Sequence, residues 1–145
     1  MVEKKVVLVD KSGNQIGLMP KLEAHQKGIL HRAFSIFLFN SKNQILLQKR
    51  SLIKYHSAGL WTNTCCSHPR DGEDIIDAGK RRLYEEMGIK TELKKEFEFT
   101  YKEVLGNEFT EHEFDHVLIG NFNGNPILNI DEVEDWKWMS LEEIE

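Results

Sequence analysis

A chain of 145 residues with 40% apolar and 30% charged residues has the size and composition of one ordinary soluble domain. The net charge of −5 argues against a protein devoted to nucleic acid, while leaving room for a local basic pocket that takes a small anion. No window approaches the run of about 20 apolar residues a membrane span needs, and the basic start leads into no signal-like apolar stretch, so the expectation is a cytoplasmic monomer or weak dimer.

Lys5–Val9 reads as a short strand ended by the turn cluster Asp10-Lys11-Ser12-Gly13-Asn14. Ala33–Phe39 and Gln44–Gln48 are apolar runs around Asn40-Ser41-Lys42-Asn43, which predicts a hairpin. Leu60–Thr64 reads as another short strand. Glu73–Met87 has helical spacing, with Ile76, Ala78, Leu83 and Met87 as core contacts and Gly88 at its end. Lys94–Lys102 and Glu111–Phe122 are predicted to pair around Gly106-Asn107. Asp135–Met139 is a last strand, and Leu141–Glu145 begins a helix. The fold class is α/β or α+β: one domain over residues 1–145, a mixed sheet packed against helices.

Glu111 and Glu113 are two apart in a predicted strand, so both carboxylates share a face, with Asp115 beside them. Like charges so placed repel unless a cation or proton lies between them. A solvent-facing acidic stripe is the competing reading. Six histidines occur, and three imidazoles plus two carboxylates would suit Zn²⁺, Mn²⁺ or Fe²⁺. Cys65 and Cys66 are adjacent, so a structural disulfide is not expected. In an extended stretch they face opposite ways. Cys66, two residues before His68, is a candidate acid, base or nucleophile, and the alternative is a small buried hydrophobe.

Ser67, Glu73 and Arg81-Arg82-Leu83-Tyr84-Glu85-Glu86-Met87-Gly88-Ile89 resemble the Nudix box in spacing. Ser67 stands where the box has Gly, and Arg82 where it has Glu. Arg82 and Glu86 share a helix face, so Glu86 can hold Mg²⁺ while Arg82 meets phosphate, or the two simply pair. The stretches Gly28–Ser35, Thr62-Asn63-Thr64-Cys65-Cys66-Ser67-His68-Pro69 and Gly106–Asp115 are similar to the type 1 isopentenyl-diphosphate isomerases, which have the Nudix fold and a damaged Nudix box.

That resemblance implies a divalent metal (Mn²⁺, Mg²⁺ or Zn²⁺) on His25, His31, His68, Glu111 and Glu113. It implies Mg²⁺ between Glu86 and the substrate diphosphate, with Lys21, Arg50, Lys54 and Arg82 on that diphosphate. Cys66 and Glu113 are then the catalytic pair, with Tyr101 hydrogen-bonded near Glu113. The expected chemistry adds a proton at C4 from Glu113 or the Tyr101–Glu113 pair and removes one at C2 by the Cys66 thiolate, with Trp61 as a π face for the intermediate cation. The family continues into a C-terminal helical segment, and this chain ends at Glu145, so a domain lacking that segment but retaining metal is expected. A Nudix hydrolase and a catalytically weak metal- or diphosphate-binding domain are the alternatives.

Overall fold

The computed structural model describes residues 4–51, 59–105 and 108–144. Lys54, His56, the Gly106-Asn107 turn and Glu145 lie outside the described residues. Strands β1 (Lys5–Val9) and β2 (Gln15–Pro20) form an antiparallel hairpin. Its turn is closed by the Asp10 carboxylate, which accepts from the backbone N–H groups of Ser12 and Asn14. Helix α1 (Lys21–Lys27) follows and ends on Gly28, whose φ of 66° is the left-handed conformation that glycine adopts at least cost.

Strands β3 (His31–Phe39) and β4 (Gln44–Arg50) follow the predicted turn, in which Asn40 accepts from the N–H groups of Lys42 and Gln44. The predicted turn joins them as an antiparallel pair, but the ladder is limited to Phe39 and Ile45 at its base. In β3 Ile36 and Leu38 are buried and Phe37 and Phe39 half-buried, and the strand is central rather than one arm of a ribbon. Short strands β5 (Trp61–Thr62) and β6 (Cys65–Ser67) come next, then α2 (Ile75–Met87), β7 (Leu93–Val104), β8 (Thr110–Asn121), β9 (Val133–Ser140) and the single turn α3 (Leu141–Ile144).

β3 pairs in parallel with β8 and antiparallel with β6, while β8 pairs antiparallel with β7, and β4 with β5 and β9. The sheet is therefore mixed. One face of it packs on α2. Phe34, Ile36 and Leu38 of β3 join Leu118 of β8 and Ala78, Leu83 and Met87 of α2 in one buried cluster. Gly79 permits the close approach, since a Cβ there would lie 2.7 Å from Leu118 Cδ1. Asp74 caps α2 by accepting from the N–H groups of Ile76 and Asp77. Because strand side chains alternate, the odd-numbered residues of β3 and β8 turn to the opposite face. That face carries the polar residues.

Candidate active site

On β8, Glu113 and Asp115 are buried and Glu111 is half-buried. The acidic row faces inward and is not a solvent-facing stripe. Register then assembles its neighbours: His31 of β3 lies beside Glu113, Tyr101 of β7 opposite Glu113, and Cys66 of β6 opposite Ser35 of β3. His25 comes from α1, and His68 follows β6. His25, His31, His68 and Glu113 each offer one ligand atom, and these four atoms lie within 4.8 Å of one another.

The donor chemistry fits a cation. His31 Nδ1 is 2.9 Å from the Ile29 carbonyl oxygen, which can only accept, so this nitrogen carries the proton. Nε2 is buried, has no hydrogen-bond partner among the described residues, and lies 3.4 Å from Glu113 Oε2. A ring nitrogen and a carboxylate facing each other out of water are unfavourable unless something positive, a proton or a metal ion, lies between them. Burial holds the His68 ring near a pKa of about 4, against the pull of Glu113, so it is neutral at pH 7 and suited to a metal. Burial pushes the Glu113 carboxyl up, but the His31 and His68 rings beside it outweigh that and hold the group well below the usual range.

Glu111 is not in the convergent group of four. Its Oε2 takes the Tyr101 hydroxyl at 2.8 Å, and the same hydroxyl is 2.5 Å from Glu113 Oε1. One phenolic proton thus sits between two carboxylates. Burial, followed by the charge of Glu113, pushes the Tyr101 hydroxyl far above its ordinary range, so it stays protonated. Burial likewise raises Glu111.

Cys65 packs into the core and Cys66 faces the other way, as an extended backbone requires. Cys66 Sγ lies 2.9 Å from Asn63 Oδ1 and 3.6 Å from Ser35 Oγ. Burial pushes the thiol up to about 12, with the charges of Asp115 and Glu113 adding. Without a cation, the group is a thiol rather than the expected thiolate. Beside it opens a cleft of about 360 Å³ lined by Ser35, Phe37, Phe97, Phe99, Asp115 and Val117.

A NUDIX domain profile matches residues 29–145. The fold agrees with a crystal structure of a Deinococcus radiodurans protein at a TM-score of 0.80 and 17% identity, covering 97% of this chain and 86% of that one. It also agrees with a MutT protein from Methanosarcina mazei at 0.67 and 21%, covering 79% and 80%. At these identities the likeness shows the fold alone. Sequence relatives are much nearer. The chain is 54% identical over 143 residues to isopentenyl-diphosphate Delta-isomerase 2 of Aromatoleum aromaticum, covering 99% of this chain and 76% of that protein. It is 56% identical over 140 residues to the corresponding isomerase 2 of Photorhabdus laumondii, covering 97% and 79%. The chain belongs to the isopentenyl-diphosphate Delta-isomerase family.

In this isomerase-family chain the altered Nudix box has a structural use. Glu73 takes the Arg81 guanidinium on both oxygens, at 2.8 and 3.0 Å, and ties the loop before α2 to the helix. Arg82, the departure from the box, is paired with Glu85, Glu86 and Glu132. Glu86 is buried, with Gln48 Nε2 on its second oxygen at 3.0 Å. The pairing reading of Arg82 and Glu86 is thus the one seen. Lys21 lies close enough to the His68 ring to oppose its protonation, and Arg50 close enough to favour ionised Glu111. Trp61 is half-exposed with Lys137 Nζ 4.3 Å above its ring, so that face already holds a cation. Sequence reasoning left Ser35, Asn63 and Asp115 without roles. For Ser35 and Asp115 the signal was available, since they alternate in step with His31 and Glu113.

Proposed function

We infer that this chain is an enzyme that interconverts isopentenyl and dimethylallyl diphosphate. The observation that carries the reading is the identity of half or more with curated isomerases over almost the whole chain. A hydrolase reading is less supported, because the relatives at about half identity are isomerases and Glu85 and Glu86 of α2 are engaged by Arg82. A place in isoprenoid biosynthesis and a cytoplasmic location are part of the same proposal. Among the described residues, no helix is long and apolar enough to cross a membrane.

The reaction needs one proton added at C4 and one removed from C2, with no net change in atoms. The Tyr101–Glu113 pair gives the proton to C4, which leaves positive charge at C3. Cys66 takes the C2 proton, and the C–H electrons become the new double bond. Both groups lie on one face of the sheet, and the apolar walls of the neighbouring cleft offer a surface for the hydrocarbon part of the substrate. His25, His31, His68 and Glu113 would hold the divalent metal (Mn²⁺, Mg²⁺ or Zn²⁺), with Glu111 adjacent through Tyr101. Bound there, the metal's charge orients Glu113 and lowers the proton affinity of the nearby thiol. Lys21, Arg50, Lys54 and Arg82 are proposed to meet the diphosphate, and Glu86 would hold a Mg²⁺ that supplies positive charge to it, with Arg82 shifting from its present partners.

The test is Cys66→Ser assayed with isopentenyl diphosphate. Turnover should fall by about a thousandfold or more while metal content is unchanged. Unchanged turnover would remove Cys66 from the chemistry.

A further inference from the structure

The proposed chemistry demands that a sulfur on a three-residue strand point at one carbon. What aims it lies outside the residues assigned so far. β3 is the central strand, and Ser35 on it has β6 on one side and β8 on the other. Ser35 Oγ donates to Asp115 Oδ2 at 2.6 Å. Its only proton is therefore committed, and its lone pairs are left for Cys66 Sγ at 3.6 Å. On the other side of the sulfur, Asn63 Oδ1 is a fixed acceptor at 2.9 Å. The Asn63 amide cannot flip without loss, because its Nδ2 donates to the carbonyls of Ile36 at 2.8 Å and Cys65 at 3.2 Å.

We propose that Ser35 is a positioning residue for Cys66: its hydroxyl, aimed by Asp115, works with Asn63 to hold the sulfur toward the cleft. The proposal rests on Cys66 being a catalytic group. A thiol on a single χ1 has three staggered wells. The single S–H can be donated to Ser35 on β3 or to Asn63 in the turn between β5 and β6, and two acceptors so placed favour one of those wells. The cleft lining supports the assignment, since Ser35 and Asp115 are the polar groups among Phe37, Phe97, Phe99 and Val117. A misplacement of about 1 Å at a reacting atom can cost on the order of a hundredfold in rate, so aim matters more than the strength of the contact.

The experiment compares Ser35→Ala with the near-isosteric pair Ser35→Thr and Ser35→Val, in the metal-loaded chain with isopentenyl diphosphate. Ser35→Ala and Ser35→Val should lower kcat by about tenfold with KM within twofold, and Ser35→Thr should stay within about threefold of the parent. The Thr/Val pair decides even if the alanine variant folds poorly, because the two differ in the hydroxyl and hardly in shape. Equal kcat for Thr and Val overturns the proposal, as does a KM change that accounts for the whole loss. The infrared S–H stretch, assigned to Cys66 by its loss in Cys66→Ser, reads the contact without turnover. It should shift in Val and not in Thr. A parent chain with no isomerase turnover would sink the proposed function, and the infrared comparison would still decide whether Ser35 holds the thiol.

Discussion

His31 Nε2 and Glu113 Oε2 face each other 3.4 Å apart in the interior, a ring nitrogen opposite a carboxylate. The Ile29 carbonyl takes the N–H of the other ring nitrogen. A contact of this kind is stabilised by a proton or a metal cation between the two. Mn²⁺ at about a hundred times its Kd should therefore stabilise the fold by about 2.7 kcal/mol. Thermal unfolding with and without chelator measures it. His31→Leu should unfold at a temperature that Mn²⁺ does not change.

Tyr101 bridges Glu111 and Glu113 with a single proton. Tyr101→Phe removes that bridge and leaves two partly buried carboxylates near each other. Turnover should fall about tenfold to a hundredfold, the effect of one hydrogen bond to a charged group. Metal content should hold, since Tyr101 supplies no ligand atom. Steady-state kinetics beside metal analysis separates the two effects.

The buried thiol and the cation are coupled by charge. In metal-free protein, burial holds Cys66 near a pKa of about 12, and few thiolates exist at neutral pH. Loading the metal should speed Cys66 alkylation by iodoacetamide by about tenfold or more at pH 7. Cys66→Ser provides the blank, because Cys65 is buried in the core. Equal alkylation rates with and without metal would separate the thiol from the cation site.

Metal-free stability should respond to pH through two opposed groups. His68 has a pKa of about 4 in the fold and 6.5 when unexposed to its influences. Between those values the unfolded chain binds the extra proton, so stability rises with pH, by about 3 kcal/mol across the window. Asp115 runs the other way. Burial raises it from 3.8 to about 7, so the folded chain binds the extra proton there and stability falls as pH rises. The two oppose each other in the parent chain, the Asp115 shift being the larger. Asp115→Asn should uncover a rise between pH 4 and 6.5, read by urea unfolding under chelator. A flat profile in that variant would contradict the assignment.

The sequence legibly carried the features that rest on alternation. That Glu111, Glu113 and Asp115 share a face follows from period 2, although not that the face turns inward, and the opposite facing of Cys65 and Cys66 follows from the same rule. Helix α2 was readable from its apolar spacing and its terminal Gly88. Strand β2 was not, because Gln15–Pro20 is exposed or half-buried throughout and shows no core-facing period. Helix α1 was not, because seven residues behind Pro20 hold too few turns for a pattern to repeat. The convergence of His25, His31 and His68 came from resemblance alone. Their separation along the chain carries no spacing rule, and only β3, β6 and α1 meeting beside β8 brings them together. The pairing of Arg82 with Glu132 was hidden for the same reason, since 50 residues lie between them.

The most direct test incubates the metal-loaded chain with isopentenyl diphosphate in D₂O and follows both hydrogen and phosphorus by NMR. Dimethylallyl diphosphate should accumulate with deuterium in its methyl groups, and the diphosphate signals should stay intact. Release of phosphate without any deuterated alkene would contradict the account.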